Sequence, residues 1–201
     1  MKKTISLLLI MVLLCYGIAL VRDWNMLHSQ MIRLHVVGAT DATDDQTVKL
    51  HVKDAVNRYL NDALRDVQTT QKAKEILSEQ LPQIQAISES VLREHGKEDS
   101  VTVSLCRESF PVRKYDTFTL PSGVYESLRI RIGAATGRNW WCVVFPTLCL
   151  PEEPGQLRDA AVGSGFSDEL CDTITEQSGY EIRFFLLDLL GQLQNLWFQG
   201  N

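Results

Sequence analysis

The stretch Ile32-Arg33-Leu34-His35-Val36 begins the predicted fold. Apolar and polar side chains alternate along it, which is typical of a β-strand with one buried face. A turn at residues 38–45 follows, and Thr43 with Gln46 then matches a capping box at the start of a helix. Apolar residues recur at helical spacing from there to Val67, which predicts a helix of about 20 residues with a broad apolar face. A helix of this kind needs a partner layer, and the preceding strand supplies one.

A second helix and four further strands are predicted downstream. The helix begins near Thr69 or Thr70. Pro82 predicts a kink or a division in this helix, and Gly96 predicts its end. The strand-like segments alternate in polarity or are rich in β-branched and aromatic residues, and they lie at residues 101–106, 118–120, 128–132 and 140–145. The order β-α-α-β-β-β-β predicts an α+β fold, a mostly antiparallel sheet with two helices packed on one face.

Length, composition and charge limit the class of protein. The chain has 201 residues, of which 45% are hydrophobic and 22% are charged, as in a globular domain with appendages. Its 25 acidic and 20 basic residues give a net charge of −5, so it lacks the basic surface that nucleic-acid binding requires. The sequence contains no Walker loop, dinucleotide fingerprint, HExxH motif or nucleophile elbow. It therefore predicts neither a cofactor nor a metal.

The N-terminus predicts export. Lys2 and Lys3 precede an apolar run at residues 5–21, which is the pattern of a secretory signal peptide. The run is also at the lower limit of length for a membrane-spanning helix, and its small-residue cleavage site is poorly formed. Residues 1–21 are thus either a signal peptide or an N-terminal anchor. In both cases the rest of the chain is expected outside the cytoplasm.

The composition changes after the predicted central domain, residues 30–150. Residues 151–181 are acidic and contain several glycines, which predicts a flexible linker. Residues 182–199 predict an amphipathic helix that is too polar to span a bilayer. Its docking surface stays open between the chain's own body, a membrane and a partner. The chain thus offers two segments for membrane contact, residues 5–21 and 182–198.

Four cysteines lie beyond the N-terminal segment: Cys106, Cys142, Cys149 and Cys171. An exported location permits disulfides, but four cysteines allow three pairings, and the sequence does not choose among them. Cys142 and Cys149 are seven positions apart and flank Pro146. A local bridge between them is the simplest candidate, and two buried thiols are the alternative.

Candidate catalytic chemistry is sparse. A thiol hydrolase needs a cysteine, a histidine base and an orienting group, and none of the four histidines lies in a familiar context with a cysteine. Asp41, Asp44 and Asp45 lack the fuller ligand set of a calcium loop, and helix capping accounts for them more simply. A binding protein is therefore the first hypothesis. An exported thiol hydrolase and a structural envelope protein are the alternatives.

The most unusual stretch is Asn139-Trp140-Trp141. Adjacent residues of a strand point to opposite faces, so one ring can lie in the core while the other needs a cover or remains at a surface. The C-terminal helix, through Phe185, Leu189 and Leu193, is one candidate cover. An exposed tryptophan is a frequent binding hot spot. Asn139, Trp140 and Trp141 are therefore the predicted partner-binding residues.

Two blocks of the sequence form recognisable motifs. The first is Arg33-Leu34-His35-Val36-Val37, then Asp41, then Asp45-Gln46-x-Val48-Lys49. The second is Leu120-Pro121-Ser122-Gly123-x-Tyr125, then Gly133, then Asn139-Trp140-Trp141-Cys142-Val143-Val144-Phe145-Pro146-Thr147-Leu148-Cys149. Together they resemble the stage II sporulation protein R family, from about Ile32 to Leu150. The chain departs from the family pattern at two turn positions, Gly38-Ala39-Thr40 and Thr147.

The resemblance implies a signalling protein of endospore-forming bacteria. Such proteins are made in the forespore and exported into the space between forespore and mother cell. There they are needed to activate a membrane-embedded aspartic protease of the mother cell, which removes the pro-segment of sigma-E. The implied partner is that protease, and the implied role is binding without catalysis.

Overall fold

A computed structural model describes residues 2–115, 118–146, 162–163, 166–175 and 181–200. In chain order its elements are α1 (Lys2–Gln30), β1 (Ile32–Val37), α2 (Thr43–Ala63), α3 (Thr70–Glu94), β2 (Val101–Phe110), β3 (Arg113–Lys114), β4 (Thr119–Leu120), β5 (Gly123–Ile132), β6 (Asn139–Phe145), α4 (Asp168–Ile174) and α5 (Glu181–Gln199). The chain divides into two compact units. The smaller unit comprises residues 1–29, 109–124 and 166–201, and the larger unit comprises residues 30–108 and 125–165.

The larger unit is built on a four-stranded sheet with the strand order β2-β5-β1-β6. The central strand β1 pairs in parallel with β5 and antiparallel with β6. The predicted α+β class is confirmed, and the sheet is mixed because of the β1–β5 pairing. A parallel pair requires a long crossover between its strands, and here the crossover contains both helices.

The core of the larger unit lies between one face of this sheet and helices α2 and α3. Alternate residues of the strands point into it: Ile32, Leu34, Val36, Leu128, Ile130, Ile132 and Val144. The helices contribute residues at helical spacing: Val52, Val56, Leu60, Leu77 and Ile84. Burying each of these aliphatic side chains stabilises the fold by about 1.5–3 kcal/mol. The two periodicities in the sequence therefore identify the two layers of the core.

The start of α2 differs from the sequence-based prediction. The residue before the helix is Ala42, and no side chain caps the helix, so the Thr43–Gln46 capping box is wrong. Gln46 Nε2 instead donates a hydrogen bond to the Thr40 carbonyl at 2.7 Å. This hydrogen bond from Gln46 connects the preceding turn to the first turn of α2.

Helix α3 runs without interruption through Pro82, so the predicted division is wrong. Thr69 caps its start and accepts a hydrogen bond from the Lys72 backbone at 3.3 Å. Its end is as predicted: Gly96 has φ +69°, the left-handed conformation that glycine adopts without strain.

Strand β1 is buried more completely than its alternating pattern predicts. Arg33 was expected on a solvated face, yet its exposed fraction is 0%. Its guanidinium carbon lies 5.0 Å from the centre of the Tyr125 ring, a cation–π arrangement. Because β1 is a central strand with both faces covered at this position, polarity alone could not place Arg33.

The smaller unit contains α1, the β3–β4 pair, α4 and α5. Helix α1 is long and apolar enough to cross a membrane, and the side chains of residues 3–16 are exposed. Helix α5 confirms the predicted C-terminal helix. Most of the predicted linker, residues 151–181, lies outside the described residues, but α4 falls within that range and buries Leu170 and Ile174.

Candidate partner-binding surface

Strand β6 carries the predicted partner-binding residues at its start. It is the edge strand beside β1, and the register sets Trp140 opposite Val36 and Trp141 opposite His35. The two rings therefore lie on opposite faces of the sheet, as strand geometry requires. Trp140 lies on the face that α2 and α3 cover, and Trp141 lies on the other face.

Trp140 is the more exposed ring, with an exposed fraction of 37%. The Lys53 ammonium, which comes from α2, lies 4.7 Å from the centre of the ring. Such a cation–π contact at a partly exposed site contributes about 0.5–1 kcal/mol. Lys53 thus fixes the orientation of the ring while part of its surface stays accessible.

Trp141 belongs to a polar cluster on the opposite face of the sheet. Its ring stacks on His35, with centroids 5.6 Å apart and planes inclined by 29°. The Nδ1 atom of His35 lies 3.2 Å from a Glu108 carboxylate oxygen, and Nε2 lies 3.0 Å from Asn139 Oδ1. Arg129 Nη1 donates to the same oxygen of Glu108 at 3.2 Å. We call these five residues the outer-face cluster; it connects all four strands.

The electrostatics of this cluster favour an ionised Glu108. Burial alone would raise the pKa of its carboxyl group, but the hydrogen bond from His35 and the charge of Arg129 help to outweigh burial and lower the pKa. The neighbouring thiol behaves in the opposite way. Burial, with the nearby Glu108 carboxylate, raises the pKa of Cys106, whereas a nucleophilic cysteine needs a lowered pKa.

The turn before β6 is held by residues of the first sequence block. Asp41 Oδ1 accepts a hydrogen bond from the Arg138 backbone N–H at 2.7 Å. Lys49 Nζ donates to the Arg138 carbonyl at 3.0 Å and to Gln46 Oε1 at 2.6 Å. Burial and the nearby Arg138 charge lower the pKa of Lys49. The two sequence blocks thus meet at the residue before Asn139.

The remaining aspartates of this loop have structural partners. Lys97 Nζ lies 2.5 Å from Asp44 and 2.8 Å from Asp45, and Thr40 donates to Asp45 at 2.5 Å. Hydrogen bonds from Lys97 and Thr40 lower the pKa of Asp45. The aspartates are therefore used to join α2 to the turn and to Lys97.

The predicted disulfide lies only partly within the described residues. Cys142 is disulfide-bonded. Cys149 lies outside the described residues, so the Cys142–Cys149 pairing stays a prediction.

Sequence reasoning missed the outer-face cluster. The local alternation of β1 predicts the face on which His35 lies but not the side chains from other strands that meet it there. The sequence feature that could have pointed to the cluster is the set of polar side chains at alternate positions of β2 and β5, which includes Glu108 and Arg129. Their assembly depends on strand order, which local patterns do not contain. His51 and His95 also meet, as stacked rings 4.6 Å apart, and both are exposed.

A family model described as "Stage II sporulation protein R (spore_II_R)" matches residues 28–154. This chain belongs to the stage II sporulation protein R family. It is 27% identical to "Stage II sporulation protein R" of Bacillus subtilis (strain 168), across 96% of this chain and 99% of that protein. No solved structure matches the chain. The resemblance seen in the two sequence blocks is confirmed, and a role in sporulation follows from the family.

The family match locates the candidate surface within the shared region. Residues 28–154 contain the outer-face cluster, Trp140 and the Lys49–Arg138 contact. Helices α4 and α5 lie beyond that range. The family match therefore covers the part of the chain that contains Asn139, Trp140 and Trp141.

Proposed function

We propose that this protein is an exported sporulation signal that passes from the forespore into the space between forespore and mother cell. There it activates the membrane-embedded aspartic protease that processes pro-sigma-E. It acts by binding and carries out no reaction of its own. Family membership supports the sporulation role, and the apolar helix α1 is compatible with export or anchoring.

One observation supports the proposed location of the binding site: Trp140 is partly exposed on a strand whose start is held by several contacts. Trp140 is oriented by Lys53, and the strand start is fixed through Arg138 by Lys49 and Asp41. A pre-ordered aromatic side chain loses little conformational entropy when a partner covers it. Such residues are enriched among binding hot spots, where truncation costs at least about 2 kcal/mol.

The cysteine chemistry supports binding over hydrolysis. The Cys106 thiol is free and lies within electrostatic reach of Glu108 and Arg129, and its raised pKa disfavours the thiolate. His35, the only histidine of the cluster, engages Glu108 and Asn139 through its two ring nitrogens. This arrangement orients Trp141 and holds four strands together, which is a scaffold role.

Co-expression tests the proposed function. The full chain, the protease and pro-sigma-E are produced together in a host that does not sporulate, and the cleaved fraction of pro-sigma-E is measured by immunoblot. Cleavage is expected only when this chain is present and exported. Equal cleavage without the chain would contradict activation. Cys106→Ser is expected to retain cleavage, and its loss in a folded, exported variant would favour a thiol hydrolase.

A further inference from the structure

Helix α5 turns its polar residues toward the rest of the smaller unit. Asp188 Oδ1 accepts hydrogen bonds from the Ser122 backbone and hydroxyl group, both at 2.7 Å. Gln194 Oε1 accepts one from the Val124 backbone at 2.8 Å. Asn195 Nδ2 donates to the Phe110 carbonyl at 3.0 Å. These bonds fix the rotation of α5 about its own axis.

The middle of the same face is small and closely packed. A Cβ atom added at Gly191 would lie 1.7 Å from the Ser122 carbonyl oxygen, so only glycine allows this approach. Leu187, one turn earlier, is fully buried. The docked face of α5 is thus specified by a glycine, a leucine and three polar residues.

The opposite face of α5 is an exposed apolar stripe. Its members recur at helical spacing along the whole helix: Ile182, Phe185, Leu189, Leu193 and Leu196. Ile182 is 73% exposed and Phe185 is 62% exposed. Phe185 and Leu189, which the sequence offered as a candidate cover for a tryptophan, are members of this exposed stripe. A continuous apolar stripe of this kind on a soluble surface marks an interaction site.

Helix α1, which is long and apolar enough to cross a membrane, lies beside the start of this stripe. The apolar part of α1 ends at residues 22–23, and Asp23 is buried there in an ion pair with Arg183. That pair attaches the first turn of α5 to the point where α1 becomes polar. Charge at this position is neutralised within the pair, which lowers the cost of placing it near lipid.

We propose that the apolar stripe of α5 lies in the surface of the bilayer that α1 enters. An amphipathic helix docked in this way inserts its apolar side chains at the boundary between headgroups and acyl chains. Aromatic residues favour that depth, and Phe185 and Trp197 are exposed on α5. The proposal commits to lipid because the stripe begins beside the end of a membrane-length helix in the same unit.

The test uses the full chain in vesicles of phosphatidylethanolamine and phosphatidylglycerol. Part of the lipid carries bromine near the headgroup end of its acyl chains, which quenches nearby tryptophans. The signal of Trp197 is obtained as the difference between the wild-type protein and Trp197→Phe. Brominated lipid is expected to quench Trp197, and aqueous acrylamide is not. Quenching by acrylamide alone would overturn the proposal.

Charge variants separate this contact from the anchoring by α1. Leu189→Glu combined with Leu193→Glu is expected to abolish lipid quenching of Trp197, whereas Gln199→Glu, also exposed, is expected to keep it. Circular dichroism checks folding, and if the double variant unfolds, the wild-type difference signal alone decides. Protection of Trp197 that appears only with the co-reconstituted protease, or only at high protein density, would overturn the lipid assignment in favour of a protein interface.

Discussion

Lys49 donates a hydrogen bond at 3.0 Å to the backbone carbonyl of Arg138, a residue 89 positions away in the sequence. This bond joins α2 to the turn that precedes β6. Lys49 belongs to the first sequence block, and Arg138 directly precedes Asn139 of the second block, so the bond connects the two blocks. Residues of α2 therefore help to hold the start of the strand that carries Trp140 and Trp141.

Replacing Lys49 by Met tests that dependence. The substitution keeps most of the buried stem but removes the part-buried hydrogen bond to the Arg138 carbonyl, and such a bond contributes about 0.5–1.5 kcal/mol. Lys49→Met is expected to lower the free energy of unfolding by that amount, measured by urea denaturation. Arg58→Met, on an exposed position of the same helix, is the matched control and is expected to change stability by less than about 0.5 kcal/mol. Equal effects in the two variants would contradict the role of Lys49.

The pKa of Glu108 predicts a pH dependence of stability. Its folded-state pKa lies below the unfolded value of about 4.3, so its stabilising contribution is present above that pH and is lost as the pH falls through the lower folded-state value. Glu108→Gln is expected to destabilise the protein at pH 7. Its stability is also expected to fall less steeply than that of the wild type as the pH is lowered into the acid range. The measurement is denaturation midpoint against pH. An acid limb of the same steepness in the variant would exclude this contribution.

The cysteine pairing is tested by mass spectrometry of a non-reduced digest. A peptide that links Cys142 to Cys149 is expected. Cys142→Ser is then expected to cost about 2–3 kcal/mol of stability, because the loop that the bridge closes is short. A Cys142 linkage to any other cysteine would contradict the prediction.

The exposed histidines serve as a test of binding against catalysis. His51→Gln and His95→Gln are expected to leave pro-sigma-E processing unchanged, since the two rings contact each other on the surface of α2 and the end of α3. Processing is followed by immunoblot after co-expression. Loss of processing in a folded and exported variant would instead favour an enzymatic role for that histidine.

Much of the fold follows from local pattern. The alternation at Ile32–Val37 and the helical spacing before Val67 each identify a layer, because burial of one face imposes that period. Gly96 marks the end of α3 for a similarly local reason, its positive φ. The motifs that resemble the family lie on β1, at the start of α2, on β6 and in the neighbouring turns.

Local sequence pattern could not predict which strands pair or which side chains are buried by segments that are distant in the sequence. The parallel pairing of β1 with β5 is set by tertiary packing, as are the burial of Arg33 and the meeting of His35 with Glu108. The choice of which side of α5 docks has the same origin. Its apolar stripe looked like a docking face, but Gly191 and Asp188 made the opposite side the better fit to the Ser122 backbone.

The most direct test of the proposed binding function is pro-sigma-E processing by Trp140→Ala. Leu50→Ala is the matched control, since Leu50 is an apolar residue of the larger unit with a similar exposed fraction, 38% against 37%. Thermal denaturation verifies that both variants are folded, and immunoblot of exported protein verifies their amount. A hot-spot tryptophan contributes at least about 2 kcal/mol, roughly 30-fold in affinity, so Trp140→Ala is expected to abolish processing at limiting expression while Leu50→Ala retains it. A folded, exported Trp140→Ala variant that supports processing at the wild-type level across all expression levels would contradict the account.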